Sequence, residues 1–463
     1  MNLQSKNFDT YTFFVTLSLI SYVLIYNLFH YDPIQGYDGE AHHAYVQNFL
    51  NLYIPGKTNQ PSSNFTYEFF SPPLPYIFPS FINETCKFLS SSKNYLEYCQ
   101  DLYGFINILF VSLLFISLLL IYLQIIKKLF RNNTLLNPTV LLLIGLFSAN
   151  YKAISMIRGE VYILFLNSFL IYRLLVLFEM SFRYSKKDIA YFGITIGLLA
   201  LSRQWAFLLF PAYFIIYFFV QDKFKYIYAK FILSAFFIGF VISGWFYISL
   251  FIEYGSFTTF NQDPTSFKLS NQPLGFYIPY SEDVGMVFTK PIRPYFENQF
   301  LPILYSDLWG DYWGYFSFTS RSLDVGRNQM GIGDYLARVN IVSVFPTFLL
   351  FAGLKNSSKS FSNKLKTSFD LINIYVVFSI AICFFGYLWF QISFPEGNGD
   401  TNKATYILQV FHILGLSAVI YLEKLREQNS KIYRVIIASL LIVFIHNLSA
   451  MLSHFPIIDF IKH

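Results

Sequence analysis

LYGFINILFVSLLFISLLLIYLQII, residues 102–126, holds no charged side chain and exceeds the roughly 20 residues that an α-helix needs to cross a bilayer. Asp101 precedes it, and Lys127 and Lys128 close it. Working outward from this run, apolar stretches of the same kind recur at 11–29, 138–151, 161–177, 189–202, 204–221, 231–252, 339–354, 371–391, 404–422 and 435–453, the fourth in chain order carrying Arg173. The pattern predicts an all-α polytopic membrane protein with about eleven transmembrane helices in one transmembrane domain, 1–463. The first run is long and lacks a small-residue cleavage site, so it reads as a retained span.

Composition agrees. Of 463 residues, 55% are hydrophobic, 21% aromatic and 13% charged, against roughly 25% charged in soluble domains. A soluble core could not bury 56 Phe and 36 Tyr, whereas helix surfaces facing lipid accept them. A soluble enzyme, a nucleic-acid binder and a disordered scaffold are excluded as readings of the whole chain, and no nucleic-acid partner is expected. The net charge of +6 follows from basic loops on one side of a membrane.

Those loops alternate. Lys127, Lys128 and Arg131; Arg183, Lys186 and Lys187; Lys223, Lys225 and Lys230; Lys355, Lys359, Lys364 and Lys366; and Lys424, Arg426, Lys431 and Arg434 mark the cytoplasmic side, together with Lys6. The opposite face then receives a first external loop at 30–101, turns at Arg158 and Arg203, a large external loop at 253–338 and the connection before Lys403. All five tryptophans fall at or beyond the outer ends of spans, as an interfacial belt or a sugar-stacking surface would need. Cys86 and Cys99 share the first external loop, where a disulfide is allowed by compartment; the alternative is two unpaired thiols. Sequons stand at Asn64 and Asn83. No internal repeat is evident.

Chemistry concentrates just outside the first span, in YDPIQGYDGEAHHAYV, 31–46. Asp38 and Glu40 stand beside two glycines, and a helix beginning near Gly39 would put Glu40 and His43 on one face. The plainer reading is a solvated loop whose aspartate caps a short helix. A second group is the basic residues at the outer boundary, Arg158, Arg203 and Lys403, which suit a lipid phosphate or, individually, snorkel to headgroups. SPPLPY, 71–76, is a third feature. In LYSDLWGDYWGYF, 304–316, Asp307 and Asp311 interleave with Trp309 and Trp313, the make-up of a carbohydrate-binding wall or of an amphipathic interfacial helix. No Walker loop, dinucleotide fingerprint, zinc spacing or GxSxG elbow occurs.

In this order the features resemble the GT-C superfamily of polytopic glycosyltransferases, in particular the branch of lipid A aminoarabinose transferases and protein O-mannosyltransferases. GYDGEAHHAYV is similar to that family's acidic motif in the first external loop, which implies Asp38 as the catalytic carboxylate with Glu40 beside it. Pro72, Pro73 and Tyr76 resemble its proline pair followed by an aromatic. Arg203 resembles its basic residue ending a middle span, Trp245 and Tyr247 its aromatic pair before the large loop, and Lys403 with Tyr406 its late basic motif. The chain departs from the pattern in having DGE for an adjacent Asp-Glu pair, Gln409 where a proline is common, and its own loop motif DLWGDYWGY.

The resemblance implies a GT-C fold whose external loops form a small periplasmic or lumenal layer, in a bacterial inner membrane or, alternatively, an ER membrane. It implies transfer of a sugar from a polyprenyl-phosphate donor to an acceptor hydroxyl on a glycolipid, polysaccharide or protein, among membrane lipids. Asp38 would be the base and Arg203, Arg158 and Lys403 would hold the donor phosphate. His42, His43, Tyr76, Trp245, Asp307, Trp309 and Asp311 would contact sugar or acceptor. No cofactor is required, although Asp38, Glu40 and His43 could hold a divalent metal cation. One displacement implies inversion at the sugar carbon. The rival readings are a secondary transporter or lipid flippase, marked by ionisable groups in mid-span and repeated halves, and an inactive subunit of the same fold.

Overall fold

The computed structural model describes residues 3–30, 38–55, 68, 70–89, 95–130, 135–260, 264–293, 298–317, 327–359, 364–396 and 401–453. Residues 31–37 of the acidic segment, Arg131 and the Asn64 sequon lie outside them. Among the described residues every regular element is helical: α1 Leu3–Phe29, α2 Gly39–Gln47, α3 Phe49–Leu52, α4 Leu74–Leu89, α5 Tyr95–Leu129, α6 Pro138–Gly145, α7 Ser148–Ile154, α8 Glu160–Glu179, α9 Lys186–Ala200, α10 Phe210–Phe219, α11 Asp222–Tyr254, α12 Leu274–Tyr277, α13 Ser281–Val287, α14 Phe300–Trp309, α15 Arg327–Lys359, α16 Ser368–Ser393, α17 Leu408–Gln428 and α18 Ser430–Asn447. Short 3-10 turns, Gln204–Leu209 and Ala404–Ile407, lead into α10 and α17.

Among the described residues, eight helices are long and apolar enough to cross a membrane. They account for eight of the eleven expected runs. The other three, 138–151, 189–202 and 204–221, form shorter helices: α6 and α7 break at Leu146 and Phe147, α9 has 15 residues, and a 3-10 turn shortens α10. The chain is thus an all-α, multi-pass integral membrane protein, with fewer full-length spans than hydropathy alone suggests.

Local sequence explains where helices begin. Ser185 and Asp188 form a reciprocal capping box at α9, and Thr367 with Asp370 does the same at α16. Asn137 caps α6 ahead of Pro138. Two glycines let α9 and α11 approach closely: a Cβ on Gly193 would lie 2.7 Å from the Ala235 carbonyl oxygen, and one on Gly197 2.7 Å from the Ile242 side chain.

Ion pairs gather at the two poles of the bundle. At one, Lys128 meets Glu179, Arg173 meets Asp188, Lys364 meets Asp222, and Arg426 meets Asp9 and Glu423. The basic loops expected on one side therefore do share one pole, and Arg173 belongs to it rather than to mid-span. At the other pole lie Asp38, Arg158, Arg203 and Lys403.

Candidate functional site

α2 starts at Asp38, which holds a left-handed backbone (φ 54°, ψ 25°) and makes no side-chain cap hydrogen bond. The capping explanation for this aspartate fails. Positive φ on a non-glycine residue costs free energy and recurs at sites where a side chain must be aimed. Asp38 Oδ2 lies 3.5 Å from Lys403 Nζ and 3.9 Å from Arg158 Nη2. Lys403, then Arg158, hold the carboxyl well below the usual carboxylate range, although its side chain is 48% exposed. A pair this exposed adds little to stability, so its value lies in the geometry.

The three cations come from three chain segments and converge on one ring. Arg158 precedes α8, Arg203 precedes the 3-10 turn before α10, and Lys403 precedes the turn before α17. Their charged ends lie 5.6, 5.4 and 5.6 Å from the centroid of Tyr406. Tyr406 itself stacks on Trp205 at 5.6 Å.

Glu160 ties the arginines together. Its Oε1 lies 3.3 Å from Arg203 Nε and 3.9 Å from Arg158 Nε, and the carboxylate is buried. Gly159 permits this, because a Cβ there would sit 2.1 Å from the Ser202 carbonyl oxygen. Only glycine lets the turn bearing Arg158 lie against the turn bearing Arg203. Further bonds stitch the proline segment to the same turn: Leu74 N donates to Leu201 O at 3.0 Å, and Gln204 Nε2 donates to Phe70 O at 2.9 Å.

Lys403 is positioned by residues of the segment between α11 and α15. Lys152 and Asp307 form a fully buried ion pair at 2.6 Å, and Asp307 Oδ2 accepts from Ala404 N at 2.8 Å. Asn402 Nδ2 donates to Phe300 O at 3.0 Å, and Lys403 N donates to Tyr387 Oη at 2.8 Å.

These elements frame a cleft lined by Asp38, Glu68, Pro72, Arg203, Trp205 and Tyr406, with an aromatic flank that includes Phe260 and Phe390. Its unfilled space is about 690 Å³ counted out to the open mouth. Glu68 is buried, accepts from Ser71 Oγ and lies 3.9 Å from His42 Nε2.

The structure thus brings Asp38, Arg158, Arg203 and Lys403 together, with His42 and Tyr76 packed behind them, and it places the remaining expected site residues elsewhere. His42 and His43 are buried and hydrogen-bond Tyr76 and Tyr103, each at 2.7 Å, fastening α2 to α4 and α5. Burial holds the His42 imidazole well below its ordinary range and the His43 imidazole at about 3, so both are neutral near pH 7. Tyr76 is spent on His42 and does not reach the cleft. Glu40 is solvent-exposed on the first turn of α2. The proposed metal ligands Asp38, Glu40 and His43 do not converge, and no group of three metal-binding side chains occurs among the described residues.

The DLWGDYWGYF segment is corrected more sharply. Asp307, Trp309, Asp311 and Trp313 are buried, with Lys152 compensating both carboxylates, so they form interior packing rather than an open sugar wall. Trp245 lies outside the cleft lining, edge-on to Tyr53. Of the five tryptophans only Trp245 and Trp389 are exposed, which removes the belt as a general description. Asn83 is buried inside α4, so that sequon is closed to modification in the folded chain. The expected Cys86–Cys99 disulfide is present.

Glu160, Glu68 and Gly159 were not singled out from sequence. The triplet Arg158-Gly159-Glu160 offered a signal, since an acid and a base flanking a glycine at a span end can meet only if the turn is held tightly. In comparisons with known proteins the chain matches no family model and no curated relative.

Proposed function

We propose that this protein is a membrane glycosyltransferase that moves a sugar from a polyprenyl-phosphate donor to an acceptor hydroxyl, with inversion. One observation carries the reading: Asp38, a partly exposed carboxylate lining the cleft, lies against Lys403 and Arg158, and these two cations gather around Tyr406 with Arg203, which lines the cleft beside it. The donor's phosphate takes the part of the cleft beside Arg203 and Tyr406, and its lipid reaches the cleft from the bilayer.

The chemistry needs few parts. Asp38 removes the proton from the acceptor hydroxyl, the oxygen attacks the sugar carbon from the face opposite the phosphate, and the carbon–oxygen bond to phosphate breaks. Both electrons of that bond leave with the polyprenyl phosphate, whose added charge Lys403, Arg158 and Arg203 stabilise. Paired with Lys403 and Arg158, Asp38 is a weak base. A bound phosphate competes for the same cations and leaves Asp38 more basic, which favours binding of the donor first.

Ion pairing at the poles favours this reading over a transporter, for which charged groups in mid-span would be expected. Asp38→Asn tests it: the variant should fold and bind donor while sugar transfer falls at least ~10²-fold. Undiminished transfer would remove Asp38 from the mechanism and the proposal with it.

A further inference from the structure

A second cavity lies outside the cleft, on the flank formed by α3 and α4. This groove has about 1030 Å³ of unfilled space counted out to its open mouth and is lined by Asn48, Leu50, Asn51, Ile77, Phe81 and Lys87, among others. Leu50 is 67% exposed and Phe81 70% exposed. Side chains of this kind on a water-facing surface would be a liability.

Their depth can be worked out from α5. Counting the roughly 20 residues of a hydrocarbon span back from Lys127 reaches Asn107 as the far boundary. α4 runs antiparallel against α5, with the Phe78 and Phe110 rings 4.8 Å apart and the Cys86 and Cys99 Cα atoms 5.7 Å apart. At 1.5 Å per residue, Phe78 lies about 4 Å inside that boundary and Cys86 about 12 Å outside it. Ile77 and Phe81 therefore sit where acyl chains meet headgroups. Glu84 and Lys87, paired at 2.9 Å, stand at headgroup depth. The exposed α5 residues Leu109 and Leu113 begin at the same depth, where an apolar side chain faces lipid.

We infer that the α3–α4 groove binds one lipid molecule of the leaflet at this pole, its acyl chain along Leu50, Ile77 and Phe81 and its polar head against Asn48, Asn51 and the Glu84–Lys87 pair. The pair presents both signs of charge, which matches a zwitterionic head such as phosphatidylethanolamine. A purely anionic head would draw Lys87 away from Glu84, whereas the ammonium of a zwitterionic head can take its place. Gln47, at the end of α2 remote from Asp38, also lines this groove, so the site borders the catalytic layer without sharing a residue with the cleft, and the inference does not depend on sugar transfer.

The test places the photoreactive residue p-benzoylphenylalanine at position 81 and, as a control, at position 274, where Leu274 is 65% exposed in the large external loop. The full-length protein is irradiated in nanodiscs holding equal amounts of phosphatidylethanolamine and phosphatidylglycerol, and intact masses are measured. The expected result is a lipid adduct at position 81, dominated by phosphatidylethanolamine, absent at 274 and reduced several-fold by Ile77→Asp. Circular dichroism confirms that this variant, altered at an exposed position, retains its helices. No adduct at 81, a crosslink within the chain, equal adducts at both positions or equal amounts of the two lipids would each overturn the inference.

Discussion

Replacing Gly159 by alanine is expected to damage the site while leaving the bundle folded. Gly159 has ordinary helical torsions (φ −86°) at the N-cap of α8, so alanine meets no backbone penalty. The obstacle is steric: the new Cβ would lie 2.1 Å from Ser202 O, 2.8 Å from Ser202 C and 3.0 Å from Arg203 Cβ. These are mostly backbone atoms that cannot swing aside. Restoring an ordinary contact of 3.4 Å from 2.1 Å moves the two turns apart by about 1.3 Å. The Arg203–Glu160 separation then grows from 3.3 Å to about 4.6 Å, which at an effective dielectric near 20 weakens that interaction by roughly 1.4 kcal/mol, or about tenfold. Displacing a phosphate-binding group by about 1 Å can cost up to ~10² in rate, so transfer should fall between ~10-fold and ~10²-fold. Overpacking should lower stability by about 1–3 kcal/mol. The assay is sugar transfer by purified protein in vesicles, alongside thermal unfolding. A variant with wild-type turnover would refute the claim that the contact between these turns positions the arginines.

Other consequences can be checked separately. Lys152→Met leaves Asp307 and Asp311 buried without their cation and should cost about 3–5 kcal/mol, read as a large fall in Tm; an unchanged Tm would show the pair to be dispensable. In the folded state His43 titrates at about 3, whereas an unfolded imidazole titrates near 6.5. The unfolded chain therefore binds more protons below about 6.5, and stability should fall as pH drops from there toward about 3, a trend that His43→Gln reduces. Reducing the Cys86–Cys99 bridge should lower stability by up to ~3 kcal/mol, measured as a Tm shift between oxidised and reduced protein.

The spans were legible in the sequence because hydrophobic length is a strong local signal, and the basic loops that alternate between them do meet at one pole. The helices that differ from expectation are those interrupted locally, at Leu146 and Phe147 and at the 3-10 turn after Arg203, where hydropathy stays high while the backbone changes course. Asp38 and its three cations could be picked out because they stand at span ends on the side opposite the basic loops, where single cations between long apolar runs call for a partner. Their convergence on Tyr406 is a tertiary fact that no spacing in the chain encodes. The misreading of 304–316 has the same origin: aromatic and acidic residues look alike on a sugar wall and in an interior, and the deciding partner, Lys152, lies 155 residues away from Asp307. Glu160 was hidden in plain view, as a carboxylate whose role depends on a glycine contact across to another turn.

The most direct test of the account is the inventory of polyprenyl-phosphate-linked sugars in cells that lack the protein. The account predicts that one such lipid-linked sugar accumulates, that wild-type protein clears it, and that Asp38→Asn, made at normal levels, does not. An unchanged inventory, or clearance by Asp38→Asn equal to wild type, would contradict it.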